Sequence, residues 1–267
     1  MSERVVVKLG GEVIRGAALS AVARELAALA ASRSVVVVHG GGPQTTALQK
    51  ALGQTPVIVG GRRVTDAAAL DAIKMAVAGL ANVDLCAALT AAGARPVGLH
   101  GASSAVIRAK QRPPRVYSGA GPDPVDLGHV GDVEGFDLEL LSLLSSAGYL
   151  PVLACVGADA EGHVFNINAD IVATRVAAAL GASDLMALMD VPGVLANRDD
   201  PSTRFARLSV AEARQLIADG VVAGGMIPKL EESFVALEAG VPRVHLLNRE
   251  LAQAAREPGS VGTLLTK

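Results

Sequence analysis

Aromatic residues make up 2% of this 267-residue chain, and tryptophan is absent. That scarcity excludes an aromatic-rich β-sandwich core and a surface that stacks nucleobases. The formal net charge is −2, and no block of basic residues occurs. A broad electrostatic footprint for nucleic acid or anionic lipid is therefore not expected. There are only two cysteines, Cys86 and Cys155. Without a second pair they make neither a disulfide framework nor a structural zinc site, and their Ala, Leu and Val neighbours mark them as buried thiols. The five histidines share no metal-ligand spacing, so no protein-held metal is expected; a lone histidine such as His245, inside a strand, reads as structural. Apolar runs such as Leu150 to Val156 fall far short of the ~20 residues a membrane span needs. No basic leader precedes VVVKL, and a cytoplasmic location is expected. Nor is there a P-loop, a G-x-G-x-x-G fingerprint, an H-E-x-x-H helix or a G-x-S-x-G elbow.

What the chain does contain is aliphatic bulk, with 51% hydrophobic residues. Short apolar runs, VVVKL, SVVVVH, TPVIV, ARPVGL, YLPVLACV, SDLMALM and PRVHLL, alternate with segments of helical spacing. The latter lie near 17–32, 43–52, 66–91, 137–147, 169–180, 209–219 and 227–240. Such alternation is the sequence form of βαβ units. It predicts an α/β fold, a three-layer αβα sandwich around a central, mainly parallel sheet. Thr65-Asp66 opens the long Ala-rich helix, and Ser209 with Glu212 forms a capping box. Residues 101–135 break the alternation with Pro, Gly and charge, which resembles hairpins or a lid. No fixed-period repeat is visible, and the chain divides near residue 150 into two sheet halves.

Glycine turns follow several strands directly: Lys8-Leu9-Gly10-Gly11, His39-Gly40-Gly41-Gly42 and Asp190-Val191-Pro192-Gly193. In an open parallel sheet, ligands collect outside the carboxyl ends of the strands. Any one glycine pair is equally a plain turn. Lys8 adds a point charge where a phosphate could lie. Lys229, in Gly224-Gly225-Met226-Ile227-Pro228-Lys229, sits near a helix N-terminus, where the dipole disfavours a cation unless an anion neutralises it. Asn166-Ile167-Asn168-Ala169-Asp170 leads into an apolar helix and carries more polar groups than an N-cap requires.

Taken in order, KLGG at 8–11, HGGGPQ at 39–44, GRRVTD at 61–66, DLGHVGDV at 126–133, NINAD at 166–170, DVPGVL at 190–195, GGMIPK at 224–229 and GTLL at 262–265 resemble the amino acid kinase superfamily. Within it, they resemble the acetylglutamate kinases of arginine biosynthesis. The resemblance covers nearly the whole chain, and the order and spacing of the motifs make it specific. It implies one amino acid kinase domain over 1–267, with an N-terminal lobe of about 1–150 for acyl-amino-acid binding and dimerisation, and a C-terminal lobe of about 151–267 for the nucleotide. It implies ATP-dependent phosphorylation of the side-chain carboxylate of N-acetyl-L-glutamate, with Mg²⁺ carried on the ATP phosphates. Lys8 and Lys229 would stabilise the transferring phosphoryl group, and Asp170 would orient both lysines. Gly10 and Gly11 would contact phosphate, Gly41 and Gly42 the acyl substrate, Arg63 its carboxylate and Asn166 its other end. Asp190, Val191, Pro192, Gly193, Val194 and Leu195, with Val221, Val222, Ala223 and Gly225, would hold the nucleotide.

Two departures stand out. Met189 replaces the Ser or Thr that commonly precedes the DVPG aspartate, and LHGASSAVIRAKQRPPR lacks an acidic, glycine-rich turn. The basic run Arg108, Lys110, Arg112 and Arg115 leaves open a related kinase acting on aminoadipate held by an acidic carrier protein, although a solvated charged hairpin explains it as well. A catalytically silent sensor is the alternative of another class. Only Met1 to Arg4 precede VVVK, so a homodimer is expected, without the N-terminal arm of arginine-inhibited hexamers and without that inhibition.

Overall fold

The computed structural model describes residues 3–117 and 121–267. Its strands are β1 (Arg4–Leu9), β2 (Ser34–His39), β3 (Ile58–Val59), β4 (Arg62–Arg63), β5 (Pro96–Leu99), β6 (Ile107–Gln111), β7 (Gly131–Phe136), β8 (Leu150–Ala154), β9 (Val156–Ala158), β10 (Val164–Asn166), β11 (Asp184–Leu188), β12 (Arg207–Ser209), β13 (Arg243–Leu247) and β14 (Thr263–Thr266). Its helices are α1 (Ala17–Ala30), α2 (Gly42–Ala51), α3 (Ala67–Ile73), α4 (Asn82–Ala91), α5 (Leu138–Ser146), α6 (Ala169–Ala179), α7 (Val210–Ala218), α8 (Met226–Glu238) and α9 (Leu251–Arg256). Eight strands form one sheet in the order β12-β14-β13-β11-β1-β2-β8-β5. Every neighbouring pair is parallel except β13 with β14. The expected αβα sandwich with a mainly parallel sheet is therefore present.

Strand alternation sorts the aliphatic residues into two cores. Val6, Val36, Val38, Leu153, Leu185, Val244 and Leu246 face one side, with residues of α6 and α8. Val5, Val7, Leu9, Val35, Val37, Val152, Met186 and Leu188 face the other, with residues of α1, α4 and α9. A strand covered on both faces can be apolar at every position, which is why VVVV needs no polar alternation. Lys8 shares the α6 side with Val6, so the same period-two rule delivers its side chain to the first turn of that helix.

The caps expected from sequence are in place. Asp66 accepts from the Ala69 amide at 2.7 Å, and Ser209 and Glu212 form a reciprocal capping box. The segment 67–91 is one 25-residue rod whose middle, Lys74–Ala81, is π-helical. The rod is long and apolar enough to cross a membrane by length and composition alone. Its Leu70, Ile73, Val77, Leu85 and Leu89, however, are buried inside the fold.

Two expectations need correction. TPVIV is not a core strand: only Ile58–Val59 pairs, with Arg62–Arg63, in a hairpin separate from the main sheet, and Val57 and Ile58 are each 52% exposed. YLPVLACV splits at Cys155 into β8 and β9, and β9 leaves for a second sheet, β10-β9-β6-β7. That second sheet carries the irregular 101–135 region, whose residues 118–120 lie outside the described ones.

His39 ends β2 and is fully buried. Its ring is bonded on both sides: Nδ1 donates to the Gly40 carbonyl at 2.9 Å, and Nε2 accepts from the Asn82 amide at 2.9 Å. Asn82 also donates to the Val152 carbonyl at 3.2 Å, so α4, β2 and β8 are tied together just before the glycine loop. Burial pushes the imidazole from an ordinary 6.5 down to about 4. Between those values the unfolded chain binds a proton that the folded chain refuses, so the stability conferred by neutral His39 is complete above the unfolded pKa and is lost as pH falls. Acidifying from about pH 7 to about pH 5 should cost the wild type about 2 kcal/mol more than His39→Gln in urea unfolding. Equal losses in the two proteins would assign the acid sensitivity elsewhere.

Candidate active site

The carboxyl ends of β1, β2 and β11 lie level, because Leu9 pairs with His39 on one side and with Leu188 on the other. The loops that follow open onto a trough made of three adjoining cavities. The middle cavity, of about 300 Å³, is lined by Lys8, Gly10, Gly11, Asp170, Asp190, Lys229 and Glu232, among others. On one side it shares Lys8, Gly10, Gly11 and Asp170 with a cavity of about 380 Å³ that also contains Gly41, Gly42, Arg62, Arg63, Arg112 and Asn166. On the other side it shares Asp190 and Lys229 with a cavity of about 430 Å³ bounded by Val191, Gly193, Leu195, Arg198 and the 221–226 stretch.

Asn168 caps α6 by accepting from the Asp170 amide at 2.7 Å. The cap fixes the first turn, and Asp170 accepts an ion pair from Lys8 at 2.7 Å. With the lysine side chain 14% exposed and the aspartate 32%, the pair is only partly hydrated and orients the ammonium into the middle cavity. Asp170 does not hold both lysines as expected. The Lys229 ammonium lies 4.0 Å from Asp190 instead, in the loop that follows β11.

Helices α2 and α8 both begin at glycines, Gly41 and Gly225, and neither receives a side-chain cap. Pro43 and Pro228 have no N–H, and the Ile227 amide donates to the Gly224 carbonyl at 3.2 Å, so Gly42 and Gln44 in α2 and Met226 in α8 supply the free first-turn amides, at the positive end of each helix dipole where an anion binds. The two glycine loops are tied by Gln44, whose amide donates to the Gly11 carbonyl at 2.8 Å. A Cβ on Gly41 would lie 2.9 Å from Val77, and one on Gly11 would lie 2.6 Å from Pro43, whereas Gly42 has open space.

Arg63 reaches α2 from the hairpin, donating to Thr46 at 2.7 Å, to the Gly42 carbonyl at 3.2 Å and to the Gln49 side chain. The guanidinium is thus held at the cavity wall, with burial lowering its pKa from the ordinary value. Asn166 lines the same cavity, and its side-chain amide is anchored by donating to the buried Thr65 at 3.1 Å. Cys155 lines this wall as a neutral thiol, pushed up to about 12 by burial, and so offers no nucleophile.

The third cavity is lined mostly by glycines and aliphatic residues, with Asp190, Arg198 and Lys229 as its charged members. The 190–195 loop is pinned where the Val194 amide donates to Thr263 at 2.9 Å. Val194 itself is fully buried and does not line the cavity, and neither does Pro192; the loop's alternation turns Val194 into the core and leaves Val191, Gly193 and Leu195 at the opening. Gly193 has φ 147°, and a Cβ there would lie only 2.6 Å from the Thr263 hydroxyl, so the position requires glycine. Met189 is buried in the wall of the middle cavity.

Sequence reasoning missed several wall residues: Arg62, Arg112, Arg198 and Glu232. In the basic run Arg108, Lys110 and Arg115 are exposed, as a solvated hairpin requires, and only Arg112 departs from it. Lys110 pairs with Glu134 at 3.0 Å, and Arg112 and Arg115 share Asp132. Arg112 is buried at 7%, because β7 returns an acidic residue beneath it. The alternating spacing of those acids in GDVEG was the signal that could have revealed this.

The fold and the trough define a phosphotransferase fold class, and the amino acid kinase family model matches residues 3–248. The chain belongs to the amino acid kinase family. Its particular likeness is to acetylglutamate kinases. It is 60% identical over 266 residues to the acetylglutamate kinase of Sorangium cellulosum (strain So ce56), with 98% of this chain and 94% of that one covered. It is 53% identical over 266 residues to the acetylglutamate kinase of Anaeromyxobacter dehalogenans (strain 2CP-C), with 98% of each covered. Among solved structures it resembles N-acetylglutamate synthase from Neisseria gonorrhoeae complexed with coenzyme A and N-acetyl-glutamate, with a TM-score of 0.83 and 27% identity over 99% of this chain and 59% of that one.

Glycine at 41 is a steric requirement and glycine at 42 is not. Gly41→Ala should lose about 1–3 kcal/mol in thermal or urea unfolding through overpacking against Val77, while Gly42→Ala stays within about 0.5 kcal/mol of wild type. Equal stabilities would show that Val77 can give way.

Proposed function

We propose that this protein transfers the γ-phosphoryl group of ATP to the side-chain carboxylate of N-acetyl-L-glutamate, giving N-acetyl-L-glutamyl 5-phosphate for arginine biosynthesis. The observation that carries the reading is the central position of Lys8 and Lys229, between an arginine-lined cavity and an apolar, glycine-rich one. The names of relatives up to 60% identical support the choice of acceptor.

In this reading an oxygen of the acceptor carboxylate attacks the γ-phosphorus while the bond to the β–γ bridging oxygen breaks and ADP departs. The carboxylate is already ionised at neutral pH, so no general base has to remove a proton. Catalysis then rests on in-line positioning and charge neutralisation. Lys8, held by Asp170, and Lys229 neutralise the phosphoryl oxygens, and the amides of Gly10, Gly11, Gly41 and Gly42 add fixed donors. Arg63 takes the α-carboxylate and Asn166 the acyl end. The 190–195 loop and residues 221–225 receive the nucleotide, with Val191, Gly193 and Leu195 as its wall. Asp190, at the junction of the middle and third cavities, fits a nucleotide that arrives with Mg²⁺, which would supply further charge neutralisation on the phosphates.

The reading assigns residues of about 1–150 to the acyl amino acid and about 151–267 to the nucleotide, and places the protein in the cytoplasm. It makes the protein a homodimer, with Met75, Leu80 and Val83, exposed on the 67–91 rod, as apolar surface for a second copy to cover. Burial of Arg112 against Asp132 withdraws it from the basic face that an acidic carrier would meet, which supports a free small acceptor.

An ATP-consumption panel with N-acetylglutamate, glutamate, aspartate, carbamate, UMP and carrier-bound aminoadipate should respond to N-acetylglutamate; no response to any would leave the sensor reading. Lys229→Ala should lower kcat ~10²–10³-fold, the cost of deleting a transition-state donor, whereas Arg63→Ala should mainly raise the KM for the acyl amino acid. Full turnover in Lys229→Ala would remove that lysine from the mechanism.

A further inference from the structure

Two charged residues bordering the trough have no role in the reading above. Glu232, one turn along α8 from Lys229, lines the middle cavity, and Arg62, on β4, lines the neighbouring one. Among the described residues the Glu232 carboxylate has no hydrogen-bond or ion-pair partner. Burial, and then the charge of Asp170, raise its pKa from the ordinary value, with Arg62 and then Arg112 pulling the other way. Arg62 is similarly uncommitted. It donates to the Gly60 carbonyl at 3.3 Å and lies over the Tyr117 ring at 4.9 Å, but its buried Nε has no acceptor. A buried donor without a partner costs about 1–3 kcal/mol, and an opposite charge across the trough is the natural acceptor.

The surrounding cations are spoken for. Arg112 is bonded to Asp132 and the Gly131 carbonyl, Arg63 to α2, and Lys8 to Asp170. Nucleotide phosphates entering between Lys8 and Lys229 would repel Glu232 toward Arg62, the guanidinium of the acceptor cavity that has no ion-pair partner among the described residues. Arg62 is carried on a hairpin able to meet it: β3 and β4 share only two residue pairs, stand apart from the main sheet and turn through Gly60 and Gly61, both at positive φ.

We propose that Arg62 and Glu232 are a positioning pair, joining across the trough when nucleotide and acyl amino acid are both bound and so bringing the acceptor carboxylate into line while excluding water. The inference rests on the kinase reading above. Joining the 58–63 hairpin to α8 would close the acceptor cavity over its ligand, the geometry phosphoryl transfer to a carboxylate needs in competition with water.

The test is a charge exchange. Arg62→Glu and Glu232→Arg should each lower kcat about tenfold at saturating substrates and raise the fraction of ATP lost to water, and the double exchange should recover to within about threefold of the parent. A double variant no better than the product of the two singles would overturn the pair. So would recovery of Glu232→Gln by raised Mg²⁺ alone, which would make Glu232 a partner of the metal. A second measurement needs no turnover: in the Arg62→Cys/Glu232→Cys protein, oxidative cross-linking should accelerate several-fold when ATP and N-acetylglutamate are added together. Acceleration without turnover in the parent would mean the kinase reading had failed while the pair stood. Cross-linking indifferent to ligands, in an active parent, would mean the reverse.

Discussion

Parallel pairing on both sides of β1 is the constraint from which the site follows. One register sets Leu9 level with His39 and with Leu188, and His39 with Ala154. The chain must turn just beyond each of these points, so turns distant in sequence become neighbours in space. Alternation along β1 then decides which turn residue meets which helix. Leu9 enters the α1 side of the core, and Lys8 points to α6, where a capped first turn presents Asp170. A one-residue slip of β1 would exchange those faces, burying the lysine among Val and Leu with no acid to pair it.

Electrostatics builds on this frame without a phosphate loop of the usual kind. Two helices start at glycine without a side-chain cap, and two lysines stand between them, one from a strand end and one from the first turn of α8. Lys229 opposes its own helix dipole, an arrangement that an anion in the trough relieves. Asp170 holds Lys8 and aims its ammonium before any ligand arrives, while Lys229 stands 4.0 Å from the exposed Asp190. His39 and Asn82 perform the mechanical counterpart, anchoring the glycine loop to the helix behind it.

Much of this was legible in the residue order. The central strands, the helices from α1 to α8, the caps at Asp66, Asn168 and Ser209, and the three glycine turns were each signalled by local chemistry. Misreadings arose where local chemistry was ambiguous. TPVIV has the composition of a strand, but its partner is a two-residue hairpin arm, which leaves Val57 and Ile58 exposed. The short helix α9 offers too few residues to show a period. Val194 sits inside a loop motif whose alternation, visible only once Thr263 pins the backbone, sends it into the core.

Sequence by itself determined the layered α/β architecture, the position of the glycine turns at strand ends and the identity of the central lysines, because these depend on periodicity and on residues a few positions apart. Tertiary structure alone decided the partners. That Asp170 serves Lys8 while Asp190 stands by Lys229, that Arg112 is buried against Asp132, and that Arg62 and Glu232 border one trough are relations between elements many residues apart. No local pattern encodes them, since each depends on sheet register and on the side from which a helix meets the strand ends.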